Sequence, residues 1–147
     1  ADYAGWTKPI AAIIADAAEC YRWALFDRDP LPKWSDANVT LMGDACHPML
    51  PFLAQGAVMA IEDAWVLSRK LKTASVPEAL AAFEAERKPR TTRAQRGARR
   101  QMGLYHKRGW AAQLATYGPM WLAAHLAPSV VHTRNDWLYS HDVVAGG

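Results

Sequence analysis

The sequence predicts an α/β fragment, mainly helical, and three observations predict it. A β-rich run, Val39–Met42, ends at Gly43 and is followed by an apolar helical pattern from Ala57. Helical periodicity then governs most of the remaining chain. The predicted order is helix, strand, strand and then helices only, which leaves a two-stranded sheet with both edges exposed. The Val39 strand therefore wants neighbours that these residues do not supply, and an N-terminal portion outside this sequence is expected.

The elements follow in order. Trp6–Ala18 carries Ile10, Ile13, Ile14 and Ala17 at helical spacing, with Pro9 at a first-turn position where proline is tolerated. Cys20–Phe26 alternates loosely and is rich in aromatics, so it reads as a strand. Asp27–Asp36 holds Pro30 and Pro32 and reads as a loop, and Val39–Met42 as a second strand. Ala57–Lys72 is the clearest helix, with Arg69, Lys70 and Lys72 where cations suit the negative end of the dipole. Ser75-Val76-Pro77-Glu78 has the spacing of a capping box for the next helix. Pro89 is expected to end or kink that helix, and another long helix is expected to begin near it. Gly97, Gly103 and Gly109 weaken this last prediction by about 1 kcal/mol each relative to alanine. From Trp110 onward, Gly118-Pro119 and Pro128 suggest short helices and coil.

Composition bounds the class. With 147 residues, 51% apolar and 21% charged, the chain can bury a real core and is not a disordered segment. A net charge of +3 does not by itself demand a nucleic-acid partner. Cys20 and Cys46 form no CxxC pair and no disulfide framework, which points to a reducing, cytoplasmic setting. No basic segment followed by an apolar run opens the chain. The longest apolar stretch, near Met120–Val131, is interrupted by His125 and Pro128, short of the roughly 20 apolar residues that span a bilayer. A first residue of Ala instead of Met suggests a processed or partial product.

The chemistry concentrates in residues 43–64. Asp44 follows a strand end, where open α/β sheets gather ligands. Its carboxylate either accepts hydrogen bonds from sugar-like hydroxyls or caps a turn. Gly56 opens an apolar helix whose first amides lack intrahelical partners and carry partial positive charge. An anion or an electron-rich carbonyl is stabilised there, and glycine lets a flat ligand approach; the plainer reading is an ordinary helix start. Pro48 and Pro51 stiffen the loop between. His47 could move a proton near neutral pH, or serve only as a structural hydrogen-bonding residue. Cys46-His47 has no further Cys or His at ligand spacing, so no metal is expected. Glu62 and Asp63 have no basic residue at i+3 or i+4. If buried, they need partners from Arg87–Arg100 or from outside this sequence; otherwise they are solvated.

Together these residues resemble the GD motif of the single-component FAD-dependent aromatic hydroxylases, in the branch of salicylate and 6-hydroxynicotinate hydroxylases. Gly43-Asp44 and the stretch from Pro51 through Gln55-Gly56 to Glu62-Asp63-Ala64 carry the likeness. Glu84–Arg90 and Asn135–Val143 extend it to the C-terminal part of such enzymes. The resemblance implies the C-terminal portion of a FAD/NAD(P)-binding Rossmann-like fold plus the end of its substrate domain. It implies residues 1–36 as the end of the substrate domain, 37–72 as the FAD-contacting strand, loop and helix, and 73–147 as a C-terminal helical region. It implies cofactor contacts at Gly43, Asp44, Pro51, Gln55, Gly56, Ala57 and Val58, with Asp44 on the ribityl chain and the amides of residues 56–58 on the flavin pyrimidine edge. Leu50, Pro51 and Phe52 would border the pocket of an aromatic substrate. The implied reaction is ring hydroxylation with NADH or NADPH and O2, possible in a homodimer.

Three departures stand out. Cys46 replaces a usual alanine, and Val58 stands where this branch often has asparagine. No GxGxxG follows a strand, so the FAD pyrophosphate site is expected in an N-terminal portion outside this sequence. The competing reading rests on Arg87–Arg108, which has nine Lys or Arg and no acidic residue. It is a basic helical module for nucleic acid or a protein partner. With only Tyr105 as a stacking aromatic there, nucleic acid is the less favoured partner. A third reading is a stand-alone helical interaction protein that keeps the motif without the cofactor.

Overall fold

A computed structural model describes Gly5, residues 7–19, Tyr21 and residues 23–145. Helix α1, Lys8–Asp16, begins with Pro9 in its first turn and buries none of its residues. The predicted strand Cys20–Phe26 is not formed in its described part. Tyr21, Trp23, Leu25 and Phe26 are irregular and 62–84% exposed. A strand needs a hydrogen-bonding neighbour, and the described residues offer none to this segment. Cys20 and Arg22 lie outside the described residues, as does Trp6 at the start of the first predicted helix.

The second predicted strand is shorter than expected. Val39–Thr40 (β2) pairs antiparallel with Ser35–Asp36 (β1), in the register Ser35 to Thr40 and Asp36 to Val39. Ala37 turns the hairpin at φ 48°, and the Ser35 and Thr40 hydroxyls share a 2.8 Å bond across it. Val39 is 68% exposed, so this strand is not packed into a core. Its outer edge has no partner among the described residues.

Helix α2 runs Gly56–Leu71 and α3 runs Val76–Tyr105. These two form the body of the fold. Ser75 precedes α3, and Glu78 Oε2 accepts bonds from its N–H (3.2 Å) and hydroxyl (2.6 Å). Arg69 and Lys70 in the last turn of α2 pair with Glu86 on α3 at 2.6 and 2.7 Å. The two helices expected around Pro89 are one continuous helix. Proline removes one helical hydrogen bond, the one that the Ala85 carbonyl would accept. Ala85 and Pro89 are both exposed, so water can serve that carbonyl.

The C-terminal third is more helical than expected. Helix α4 spans Trp110–Leu126 through Gly118-Pro119, followed by α5, Pro128–Thr133, and α6, Asp136–Tyr139. Alanine and leucine sustain α4 despite its internal proline. It buries no residue.

Two apolar clusters hold the fold. Leu50, Leu53, Met59, Ala94, Ala98 and Leu138 join the loop before α2 to α2, α3 and α6. Trp34, Cys46, Val66 and Phe83 join the hairpin side to α2 and α3. Side chains such as Met59, Val66 and Phe83, each fully buried, contribute about 1.5–3 kcal/mol apiece. Gly97 is placed where a Cβ would sit 3.0 Å from Leu53 Cδ1, so α3 lies directly against that loop. Glu84 Oε2 accepts the N–H groups of Trp34 and Ser35, both at 2.9 Å, and so docks the hairpin on α3. Among the described residues, no helix is long and apolar enough to cross a membrane.

Candidate functional site

The turn after β2 sets the site. Gly43 is buried at φ 59°, a left-handed conformation that favours glycine, and a Cβ there would lie 3.3 Å from Ala60 Cβ. The 3-10 turn Gly43–Ala45 sends the Gly43 carbonyl to the N–H groups of Cys46 and His47, both at 3.0 Å. Asp44 is left exposed, and its carboxylate has no hydrogen-bond partner among the described residues.

The loop then reverses onto α2. Pro51–Leu53 form a second 3-10 turn, closed by Ala54 at φ 52°. The loop is gripped from two sides: Gln95 Nε2 donates to the Pro48 carbonyl at 2.9 Å, and the Tyr139 hydroxyl to the Leu53 carbonyl at 3.4 Å. This return brings Gly56 beside Asp44. A Cβ at Gly56 would lie 3.9 Å from Asp44 Oδ1 and 3.9 Å from Met49 Cγ. Gln55 occupies the N-cap without a side-chain capping bond, and the Met59 N–H donates to the Gln55 carbonyl at 2.9 Å, the first bond of the helix. The amides of Gly56, Ala57 and Val58 therefore lack intrahelical acceptors. Ala57 and Val58 are exposed.

An exposed carboxylate thus stands next to a set of donor amides at the positive end of a helix. One accepts hydrogen bonds and the other gives them, over open space. Two buried atoms nearby, Gln55 Oε1 and His47 Nδ1, have no partner among the described residues. This donor and acceptor set fits a ligand with hydroxyls on one side and an electron-rich carbonyl edge on the other.

The other predicted residues divide. Pro51 is exposed and Phe52 is half-buried. Phe52 borders an open hollow of about 510 Å³ with Leu25, Met102 and His106. Leu50 is 5% exposed and packed into the core beneath them. His47 is fully buried, with Nε2 2.6 Å from Asp63 Oδ2.

That contact opens a buried ionic network that ties the loop to both long helices. Asp63 accepts bonds from His47, from the Gly43 amide (3.1 Å) and from Arg87 Nε (2.8 Å). Arg87 also meets Glu62 at 2.7 Å, and Arg90 binds both Glu62 oxygens at 2.8 Å. Arg90 then donates to the carbonyls of Trp137 (2.8 Å) and Leu138 (3.1 Å). Burial alone would raise the Asp63 carboxyl, but the bonds from His47, Arg87 and Gly43 outweigh it and hold Asp63 below the usual range. Glu62 is likewise held low, with its burial outweighed by Arg90 and Arg87. Glu62 and Asp63 thus find their partners in the basic stretch, as one of the expected sources required. The particular residues, Arg87 and Arg90, and the clamps Gln95 and Tyr139, were not singled out by sequence reasoning. The one available signal was the i, i+3 spacing of Arg87 and Arg90, which puts them on one helix face.

Donor atoms of Cys46, His47 and Asp63 lie within 4.8 Å of one another. Burial, followed by the Asp63 charge, pushes the Cys46 thiol up to about 12, away from the thiolate a metal needs. The Arg87 guanidinium already occupies Asp63. The donor set suits an ion-pair network better than a cation.

The FAD-binding domain family matches residues 16–98, more than half of the sequence. The chain belongs to that family. It is 37% identical over 145 residues to 6-hydroxynicotinate 3-monooxygenase of Bordetella bronchiseptica, covering 99% of this chain and 32% of that protein. It is 42% identical over 125 residues to 3-hydroxybenzoate 6-hydroxylase 1 of Aquipseudomonas alcaligenes, covering 84% and 31%. The crystal structure of FqzB is similar at a TM-score of 0.59 and 37% identity, over 82% of this chain and 27% of that one. The chain spans about a third of the length of the curated relatives it matches. The donor and acceptor set between Gly43 and Val58 lies within the matched residues 16–98.

Proposed function

We propose that this chain forms the flavin-facing part of an FAD-dependent aromatic monooxygenase that uses NADH or NADPH and O2. The observation that carries the reading is the exposed Asp44 carboxylate beside the uncapped first turn of α2. The relatives support the reaction class, since their names specify oxygenation of hydroxylated aromatic acids.

In this reading Asp44 accepts hydrogen bonds from the ribityl hydroxyls. The amides of Gly56, Ala57 and Val58 point to the pyrimidine edge of the flavin, where negative charge develops on reduction. Fixed dipoles aimed at developing charge need no reorganisation. Gly43 and Gln55 shape the approach, and Val58 contributes through its backbone. Pro51 and Phe52 border the substrate side with Leu50 supporting them from the core. His47 is a positioning residue that holds Asp63 and, through it, the Gly43 turn. The chemistry that FAD supplies when bound is two-electron reduction by NAD(P)H and insertion of one atom of O2 into the ring, the other leaving as water.

Residues 1–36 close a substrate domain, 37–72 carry the flavin contacts, and 73–147 form a helical brace. The Rossmann-like GxGxxG half of the FAD site lies outside this sequence. The site is cytoplasmic, and a homodimer is compatible with it. The test is bound flavin in the native gene product, measured by visible absorbance, in the wild type and in Asp44→Ala. Loss of flavin on dilution in the variant alone supports the placement. Equal flavin retention removes Asp44 from the cofactor contacts.

A further inference from the structure

The basic stretch of α3 is not used uniformly. Arg87, Lys88, Arg90 and Arg99 are paired with carboxylates. Arg93 and Arg100 have no carboxylate partner among the described residues, and neither has Arg134 at the end of α5. All three are exposed, and all three line one groove of about 400 Å³ between α3, α4 and the junction of α5 and α6. No acidic side chain lines it.

Three like charges around one hollow repel one another, and an anion placed among them relieves that repulsion. Arginine forks match phosphate geometry and bind it with charge-assisted bonds. The walls are aromatic. Arg93 Cζ lies 3.8 Å from the centre of the Trp137 ring, which fixes that guanidinium in place. Tyr105 and Tyr117 also line the groove and keep 59% and 37% of their surface exposed, enough to meet a flat ring. The volume falls within the roughly 300–1,000 Å³ range of small-molecule sites.

We propose that this groove binds a nucleotide, with its phosphates on Arg93, Arg100 and Arg134 and its base against Tyr105 and Tyr117. A nucleic-acid strand fits less well. Four of the basic residues on α3 are tied to carboxylates, so the helix offers no continuous cationic track. Under the function proposed above, the natural occupant is the nucleotide part of NADH or NADPH. Only that naming rests on the monooxygenase reading; the affinity of the groove for a nucleotide does not.

The test is calorimetric titration of the native gene product at low salt with ADP, with inorganic pyrophosphate and with a short single-stranded DNA. The variant is Arg100→Ala/Arg134→Ala, in which both replaced side chains are exposed and neither is paired with a carboxylate among the described residues. We expect ADP to bind and its Kd to rise at least about tenfold in the variant. We expect pyrophosphate to bind more weakly than ADP and flavin content to stay at the wild-type level. ADP held elsewhere in the protein would not respond to these two arginines, so an unchanged Kd overturns the proposal, as does absence of ADP binding. Pyrophosphate binding as tight as ADP removes the base contact. DNA binding tighter than ADP, with steep salt dependence, replaces the groove ligand by nucleic acid. A wild type without flavin that still binds ADP through Arg100 and Arg134 removes the monooxygenase reading and leaves the groove.

Discussion

Asp63 on α2 and Arg87 on α3 are joined by a 2.8 Å bond from Nε to Oδ1, with 0% and 2% of their side chains exposed. Neither can turn to water, so each depends on the other. Removing one member of such a pair leaves an uncompensated buried charge and costs about 3–5 kcal/mol. Asp63→Ala should therefore unfold at much lower urea than the wild type. The double change Asp63→Leu/Arg87→Met should recover part of the loss, because it buries no orphan charge at this pair. A urea midpoint for the double variant below that of Asp63→Ala would mean that the pair acts mainly through its other partners.

The same network predicts an acid limit. Asp63, Glu62, Glu84 and Glu86 are all held below their ordinary range in the folded protein, by cationic and amide partners that outweigh burial. A depressed folded value means that the unfolded state binds protons first as pH falls. Their contribution is complete well above the unfolded values of about 4 and is lost as pH drops through the lower folded values. Unfolding midpoints measured from pH 7 to pH 2 should stay level at first and then fall steeply below about pH 4. A midpoint that rises on acidification would contradict these directions.

Gly43 should resist replacement. Its left-handed φ of 59° costs an alanine about 1–2 kcal/mol, and the new Cβ would meet Ala60 Cβ at 3.3 Å. The Gly43 amide also feeds Asp63, so distortion there spreads into the network. Gly43→Ala is expected to lower Tm by roughly 3–8 °C in a thermal scan. An unchanged Tm would show that the turn relaxes freely.

Cys46 should be inert in the folded protein. Its thiol is fully buried and pushed up to about 12, so almost no thiolate exists at pH 8. Peptide-level mass spectrometry after iodoacetamide treatment should find Cys46 unmodified in native buffer and fully modified in urea. Rapid native labelling would mean that the loop before α2 opens.

What could be read in advance was local. Ser75 and Glu78 announce the start of α3 through spacing alone, and Ala57–Lys72 shows its helix through its own periodicity. Glu62 and Asp63 advertised a missing cation because no Lys or Arg stands one turn away. Which of nine basic residues answers them depends on how α2 crosses α3, and no window of sequence encodes that crossing. The irregular, exposed course of Trp23–Phe26 was not legible either, since a strand pattern records side-chain preference and says nothing of whether a neighbour is present. Pro89 misled for a related reason. The rule against it assumes a carbonyl cut off from water, and Ala85 and Pro89 are both exposed. The Asp44 and Gly56 pair was named from order along the chain, but their closeness comes from a loop gripped by Gln95 and Tyr139, far away in sequence.

Arg90 reaches main-chain oxygens at Trp137 and Leu138, not side chains. A contact of that kind is blind to residue identity. Substituting either side chain leaves the oxygen in place, whereas a shift of α6 removes it. The stretch between Arg90 and α6 includes α4, which buries nothing, and doubling the length of a flexible connection costs only about 0.6 kcal/mol. The protein should therefore accept insertions before α4, near the exposed Trp110, more readily than a small change in the angle of the turn at Asn135. In engineering terms, the start of α4 is a site for grafting cargo, and α6 is a latch whose register has to be kept.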